Sequence, residues 1–251
     1  MSKEGIMCVV SNRELVKGVF EMVLEGNAAS AIVSPGQFIN IKISDSLYPY
    51  LRRPMSICDY DDCHITIIYR VVGSGTEILS KKKMGDELNC LVGLGNGFED
   101  YDCKKAVVIG GGLGVPPMYA LTKELLSKNI KVKAILGFNS KEEIFYDEEF
   151  RKLCPTYIST MDGSVGIRGT VIDVLKENNI EYDLYYACGP EKMLETLIMN
   201  DEKNGYLSFE ARMGCGFGAC MGCSTKVKGN PYKRICVEGP VLKSSEVIID
   251  G

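Results

Sequence analysis

Residues 106–129 read AVVIGGGLGVPPMYALTKELLSKN. The stretch opens with four apolar residues, passes through a turn holding four glycines, and resumes with apolar positions at helical spacing behind two prolines, which suit a helix's first turn. A strand that hands over to a helix in this way begins a parallel α/β unit. The same alternation continues downstream. KVKAILGF, TYISTMDG and YDLYYACGP read as strands, and DEEFRKL, GTVIDVLKENN and EKMLETLIMNDEKNG as helices. Residues 103–205 are therefore expected to form a doubly wound parallel sheet.

Working outward, residues 1–102 have a different rhythm. CVVSN, GVFEMVLEG, QFINIKI, RPMSICDY, HITIIYRVV and ELNCLVG are short strand runs separated by turn signals, as in an antiparallel barrel. GTEILSKK, residues 75–82, is the one helical interruption. Residues 206–251 are rich in glycine and cysteine and carry little helical pattern, as expected of loops around an inorganic centre. The chain thus reads as a multi-domain α/β and β protein: barrel 1–102, α/β sheet 103–205, and a small C-terminal domain 206–251.

The C-terminal section contains Cys215, Cys220, Cys223 and Cys236. Their C-x4-C-x2-C spacing, with the last cysteine after twelve intervening residues, is that of plant-type [2Fe-2S] proteins. Structural zinc also accepts four thiolates, but zinc ribbons present two C-x2-C knuckles. Gly214, Gly216, Gly218, Ala219 and Gly222 let backbone N–H groups turn toward sulfur. The other seven cysteines (Cys8, Cys58, Cys63, Cys90, Cys103, Cys154 and Cys188) are scattered and read as small buried hydrophobes.

Composition sets the remaining limits. With 251 residues, 45% hydrophobic content and a net charge of −4, the chain can bury a core, and it has no basic stripe for nucleic acid or an anionic membrane. The opening MSKEGIMCVV carries Glu4 and no signal-peptide core, so it reads as the start of a strand. Residues 106–122 lack charge, but their glycines and paired prolines argue for a binding loop over a membrane span. Eleven cysteines in such a chain suit a reducing, cytoplasmic setting.

Four further constellations can bind phosphates or a nicotinamide. In GGGLGVPP, residues 110–117, free N–H groups at a helix start favour an anion, although a plain strand–helix turn has the same form. LRRPMSI brings Arg53 and Ser56 together around a proline, and YRVVGSGT joins Arg70 to a glycine turn and Thr76; both could equally be a solvated barrel edge. Cys188, Gly189 and Pro190 end a strand where open α/β sheets bind ligands, with a buried free thiol as the alternative. No arginine stands in residues 137–140, GFNS, to pair a 2′-phosphate, which favours NAD over NADP despite Lys141. His64 has no catalytic partner at meaningful spacing and reads as structural, and the basic run 81–83 as a solvated helix end.

RPMS, YRVVGSGT, GGGLGVPP and CGP, in that order, resemble the ferredoxin-NADP reductase superfamily, a flavin-binding barrel followed by a nicotinamide-binding α/β domain. With FEARMGCGFGACMGC and KRICVEGP added, the whole chain is similar to the family of dihydroorotate dehydrogenase B electron-transfer subunits. The resemblance implies that Arg53, Pro54, Met55 and Ser56 contact FAD, with Arg53 near the pyrophosphate and Ser56 near the isoalloxazine. Arg70, Val71, Val72, Gly75 and Thr76 would complete that site. Gly110, Gly111, Gly112 and Gly114 would face NAD, with Cys188, Gly189 and Pro190 close to the nicotinamide.

The same resemblance implies no catalytic side chain and a separate FMN-containing subunit that oxidises dihydroorotate in pyrimidine biosynthesis, assembled with this chain as a heterotetramer. Two other readings are a flavin and iron-sulfur subunit of an NAD(P)H:ferredoxin or hydrogenase-type oxidoreductase, and a zinc-stabilised nucleotide-binding module.

Overall fold

The computed structural model describes residues 2–248 except 45, 47, 202 and 203, and at 230 and 231 the backbone alone. Six strands, β1 (Lys3–Val16), β2 (Val19–Glu25), β3 (Phe38–Ile41), β4 (Arg53–Tyr60), β5 (His64–Arg70) and β6 (Glu87–Leu94), close an antiparallel barrel in the order β1-β2-β5-β4-β3-β6. Alternation builds its core: every second residue of β6 is buried, and Met7, Met22, Ile39, Ile41, Ile57, Ile65 and Ile67 meet inside. One helix, α1 (Ser74–Ser80), lies between β5 and β6.

The chain then alternates β7 (Lys105–Gly111), α2 (Val115–Ser127), β8 (Lys131–Phe138), α3 (Asp147–Leu153), β9 (Thr156–Thr160), β10 (Ile167–Arg168), α4 (Val171–Glu177), β11 (Leu184–Cys188), α5 (Glu191–Asn200) and β12 (Gly205–Ser208). The C-terminal section adds a hairpin, β13 (Ser224–Val227) with β14 (Asn230–Arg234), and a last strand, β15 (Val241–Lys243). The seven-stranded sheet runs β10-β9-β8-β7-β11-β12-β15 and is parallel except for β15 against β12. From β7 the chain first moves to β8 on one side and later to β11 on the other. That reversal creates a crevice outside the strands' C-terminal ends.

Barrel and sheet share a core and several polar ties. α2 packs on β4, bringing Cys58 among Met118, Leu121 and Leu125. Tyr146 Oη donates to Glu21 at 2.7 Å, Lys123 pairs with Asp59 at 2.7 Å, and Arg70 with Glu143 at 3.1 Å.

Several expected elements have different limits. β1 is longer than CVVSN because its two ends pair different neighbours, β6 at the start and β2 further on. The helix read as reaching residue 205 stops at Asn200, since Gly205 begins β12. The cysteine-rich section contains strands as well as loops, and β15 completes the edge of the large sheet. Among the scattered cysteines Cys58, Cys90, Cys154 and Cys188 are buried, Cys8 and Cys103 are half-buried, and Cys63 is exposed. Cys63 lies in the turn before β5, where Asp61 accepts hydrogen bonds from the Cys63 and His64 backbone at 2.9 and 2.7 Å. His64 Nδ1 lies 3.0 Å from Asp61 in the same turn.

Candidate functional site

A cleft runs along the outer end of the barrel. Arg53, Pro54, Met55 and Ser56 of β4 line one wall with Phe38 and Ile68, and Arg70, Val72 and Thr76 line another. Register explains the grouping, because Phe38 stands opposite Ser56 in the β3–β4 pair. Thr76 is buried, and its Oγ1 accepts from the N–H groups of Val72 and Gly73 at 2.9 and 3.2 Å, which holds the glycine turn closed. The Arg53 guanidinium lies over Gly75 and donates to Leu51 O at 2.5 Å. Val71 donates its N–H to Gly18 O at 2.8 Å and is not on the cleft wall. Two arginines, a hydroxyl pair and an apolar floor are a donor set suited to a dinucleotide with a diphosphate and a flat ring.

The opposite wall comes from the GGGLGVPP loop and the FEARMGC phrase, neither of which was expected on this cleft. Leu113 of the glycine loop and Ser208, Phe209, Glu210, Ala211 and Met213 after β12 close the cleft. Leu113, Phe209 and Glu210 also line a second cleft, formed by Gly111, Gly112, Gly114, Gly189 and Pro190 at the crevice of the sheet. The sequence sign that could have drawn notice to Glu210 is an acidic residue alone in a short apolar phrase before the first clustered cysteine. Its carboxyl is pushed above the usual carboxylate range by desolvation.

Gly110 and Cys188 face each other across β7 and β11, while Gly114 touches the turn beyond. A Cβ on Gly114 would stand 2.0 Å from Cys188 O. No side chain fits there without moving the turn. Cys188 itself is buried, which raises its thiol to about 12, so it acts as a small apolar wall. Replacing Gly114 with alanine is expected to cost about 1–3 kcal/mol, lowering Tm by roughly 2–10 °C. NADH affinity should drop at least ~10-fold with FAD retained, as read by calorimetry and flavin absorbance. A third cleft continues past Gly111 and Pro190 to Phe138, Asn139 and Glu143 at the end of β8. Asn139 donates to Glu143 at 3.2 Å, and this carboxylate is ill suited to a 2′-phosphate.

The four clustered cysteines lie in two pairs. Cys220 N and Ala219 N donate to Cys215 Sγ at 3.4 and 3.2 Å, and Cys215 N to Cys220 Sγ at 3.5 Å. Cys236 N donates to Cys223 Sγ at 3.5 Å. Burial opposes ionisation of Cys215, but the N–H groups of Phe217, Cys220 and Ala219 outweigh it and bring the thiol to about 6. Arg234 braces the loop, donating to Gly218 O at 2.8 Å while paired with Glu238 at 2.6 Å. One zinc ion, about 2.3 Å from each sulfur, would need all four within about 3.8 Å of one another. Among the described residues the only three ligand-type side chains with atoms mutually within 4.8 Å are Asp61, Cys63 and His64. No three of the clustered sulfurs are that close. Two pairs of cysteines linked by N–H···S bonds fit a two-iron centre better than a single ion.

Barrel, switch-point crevice and thiolate loop together define a flavin- and pyridine-nucleotide-dependent oxidoreductase of the ferredoxin reductase type. Among solved structures, the NADH-dependent reduced ferredoxin-NADP oxidoreductase superposes with a TM-score of 0.88 and 26% identity, over 97% of this chain and 90% of that one. A ferredoxin NADP+ reductase from Neisseria gonorrhoeae, with bound FAD and NADP, shares the fold at a TM-score of 0.66 and 16% identity, over 84% of this chain and 96% of that one.

Residues 210–248 match the iron-sulfur cluster binding domain of dihydroorotate dehydrogenase B, and residues 108–198 the oxidoreductase NAD-binding domain. The electron transfer subunit of dihydroorotate dehydrogenase B (NAD(+)) from Geobacillus sp. (strain WCH70) is 43% identical over 99% of this chain and all of its own length. The subunit of that name from Fusobacterium nucleatum is 44% identical over 96% of this chain and 97% of its own. The chain belongs to the family of dihydroorotate dehydrogenase B electron transfer subunits.

Proposed function

We propose that this chain links a dihydroorotate-oxidising catalytic subunit to NAD+, holding FAD in the barrel cleft, NAD(H) in the switch-point crevice and a [2Fe-2S] cluster on Cys215, Cys220, Cys223 and Cys236. One observation carries the reading: Leu113, Phe209 and Glu210 belong to both nucleotide clefts, and Met213, on the flavin cleft, is two residues from Cys215. When bound, FAD exchanges a hydride for single electrons and the cluster relays those electrons.

The chain's own residues position and shield. Arg53 and Arg70 offer positive charge to a diphosphate, and Ser56 a hydroxyl to the ring. Gly110, Gly111, Gly112 and Gly114 let the backbone come close to NAD, and Cys188, Gly189 and Pro190 wall the nicotinamide end. Val71 supports the turn from behind. The division at 102 and 205 separates these duties, although β12 and β15 tie the third section into the second's sheet.

The partner in this reading contains FMN, and the complex is a cytoplasmic heterotetramer serving pyrimidine biosynthesis. Among the described residues no helix is long and apolar enough to cross a membrane, and none of the eleven cysteines is joined in a disulfide, which suits a reducing compartment. Anaerobic co-purification with a dihydroorotate-oxidising, FMN-containing protein supports the proposal. A partner rich in further iron-sulfur motifs would favour the ferredoxin or hydrogenase alternative, and a colourless preparation with stoichiometric zinc would overturn the redox reading.

Glu210 adds a pH dependence. Its raised carboxyl becomes an anion only as pH climbs through that raised pKa, and an anion in the crevice favours the cationic ring of NAD+ over the neutral ring of NADH. The ratio of NAD+ to NADH affinity should therefore rise with pH in the wild type and stay flat in E210Q, with a gap of ~3–10-fold at the alkaline end. Equal profiles in competition binding would remove Glu210 from this role.

A further inference from the structure

Asn40 joins the barrel to the cysteine loop. On β3, Ile39 and Ile41 enter the barrel core, while Phe38 packs in the cluster of Cys223 and Cys236 on the outer side. Strand alternation puts Asn40 on Phe38's side. Its Nδ2 donates to Cys215 O at 3.2 Å, across 175 positions of sequence. The next residue, Gly216, has φ +80°, and a Cβ there would lie 2.3 Å from Asn40 Nδ2, so the loop is pressed against this side chain.

Asn40 is only 1% exposed, and its Oδ1 has no hydrogen-bond partner. An unpaired buried acceptor costs about 1–3 kcal/mol. Stability alone would favour an apolar residue of the same size, such as leucine, at this point. The amide cannot be reversed, because Oδ1 would then face Cys215 O. The backbone of Asn40 is fixed as well, with Arg52 donating to Asn40 O at 3.4 Å and to Asn89 O at 2.9 Å.

We propose that Asn40 is a positioning residue for the one-electron centre, fixing Cys215 against the strand whose Phe38 walls the flavin cleft and turning the donor end of its amide dipole toward the ligand loop. The inference rests on the reading that the four cysteines hold a [2Fe-2S] cluster. Reduction adds one negative charge to that centre, and the N–H donor that Asn40 turns toward Cys215 O favours it. Asn40 therefore raises the cluster's reduction potential and keeps the ligand loop in a single arrangement.

The test is an EPR-monitored reductive titration of the anaerobically purified holoprotein, as wild type, N40L and N40S, with FAD content measured in each. In N40L the cluster potential is expected to shift downward and the reduced-state signal to broaden, with FAD content unchanged. The serine of N40S is too short to keep the amide's contact with Cys215 O, so its potential should shift in the same direction.

Potentials and line shapes that coincide with wild type in both variants would overturn the proposal. Should N40L fail to fold, seen as lost FAD, N40S decides alone: a downward shift supports the proposal, and a potential equal to the wild type overturns it. A wild-type holoprotein with no reduced-cluster signal would overturn the cluster assignment itself, and the proposal with it.

Discussion

Substituting Cys220 with alanine is expected to remove the iron-sulfur centre and its reduced-state EPR signal while FAD remains bound. Cys220 is exposed and lies in the first sulfur pair, where its Sγ accepts from Cys215 N, so truncation removes a ligand without opening a core cavity. The barrel core that carries the flavin cleft is built from other residues. Changes merely around a metal site typically cost 10–100-fold, and loss of a ligand should exceed that. Electron flow from dihydroorotate to NAD+ in the assembled complex should fall by more than ~100-fold. Iron analysis, EPR and flavin absorbance of the same preparation check it, and full cluster content in C220A would show that other residues bind the iron.

The second large effect is expected at Arg53. Its guanidinium lies over Gly75, at the first turn of α1, on the wall where a diphosphate would meet Arg70 and Thr76. Hydrogen bonds to charged groups contribute about 1.5–3 kcal/mol, so R53A should weaken FAD binding by roughly 10–100-fold. R53K keeps the charge but loses the planar fork, and should fall between. Flavin released on dilution reports the change. Unaltered occupancy in R53A would place the pyrophosphate elsewhere.

Much of this architecture was legible in residues 106–129, because a strand, a glycine turn and a helix of thirteen residues carry their periodicity locally. The cysteine spacing was legible for a similar reason, since the first three clustered cysteines lie in one loop. Strands of three or four residues, such as β12 and β15, are too short to show a period, so the way the C-terminal section completes the large sheet could not be read. The motifs pointed to the β4 and β5 side of the barrel cleft, while the FEARMGC phrase was quoted without a place on it. Phe209, Glu210 and Met213 acquire their meaning only when β12 brings them across the cleft from Ser56. Asn40 lay further out of reach, because its partner is 175 positions away. Cys63 was expected in a core and lies instead in an exposed turn organised by Asp61, a hydrogen-bonding role for its backbone that hydrophobicity does not predict.

The segment after β12 touches both nucleotide clefts and then reaches the first clustered cysteine without a break in the chain. Five peptide units separate Glu210 from Cys215, and an extended chain spans at most ~3.6 Å per residue. The two positions can thus never be more than about 18 Å apart, and Met213 and Cys215 no more than about 7 Å. The polypeptide is itself a tether of limited length between the two clefts and the cysteine loop, so a partner that pulls on the loop also pulls on the wall that the clefts share.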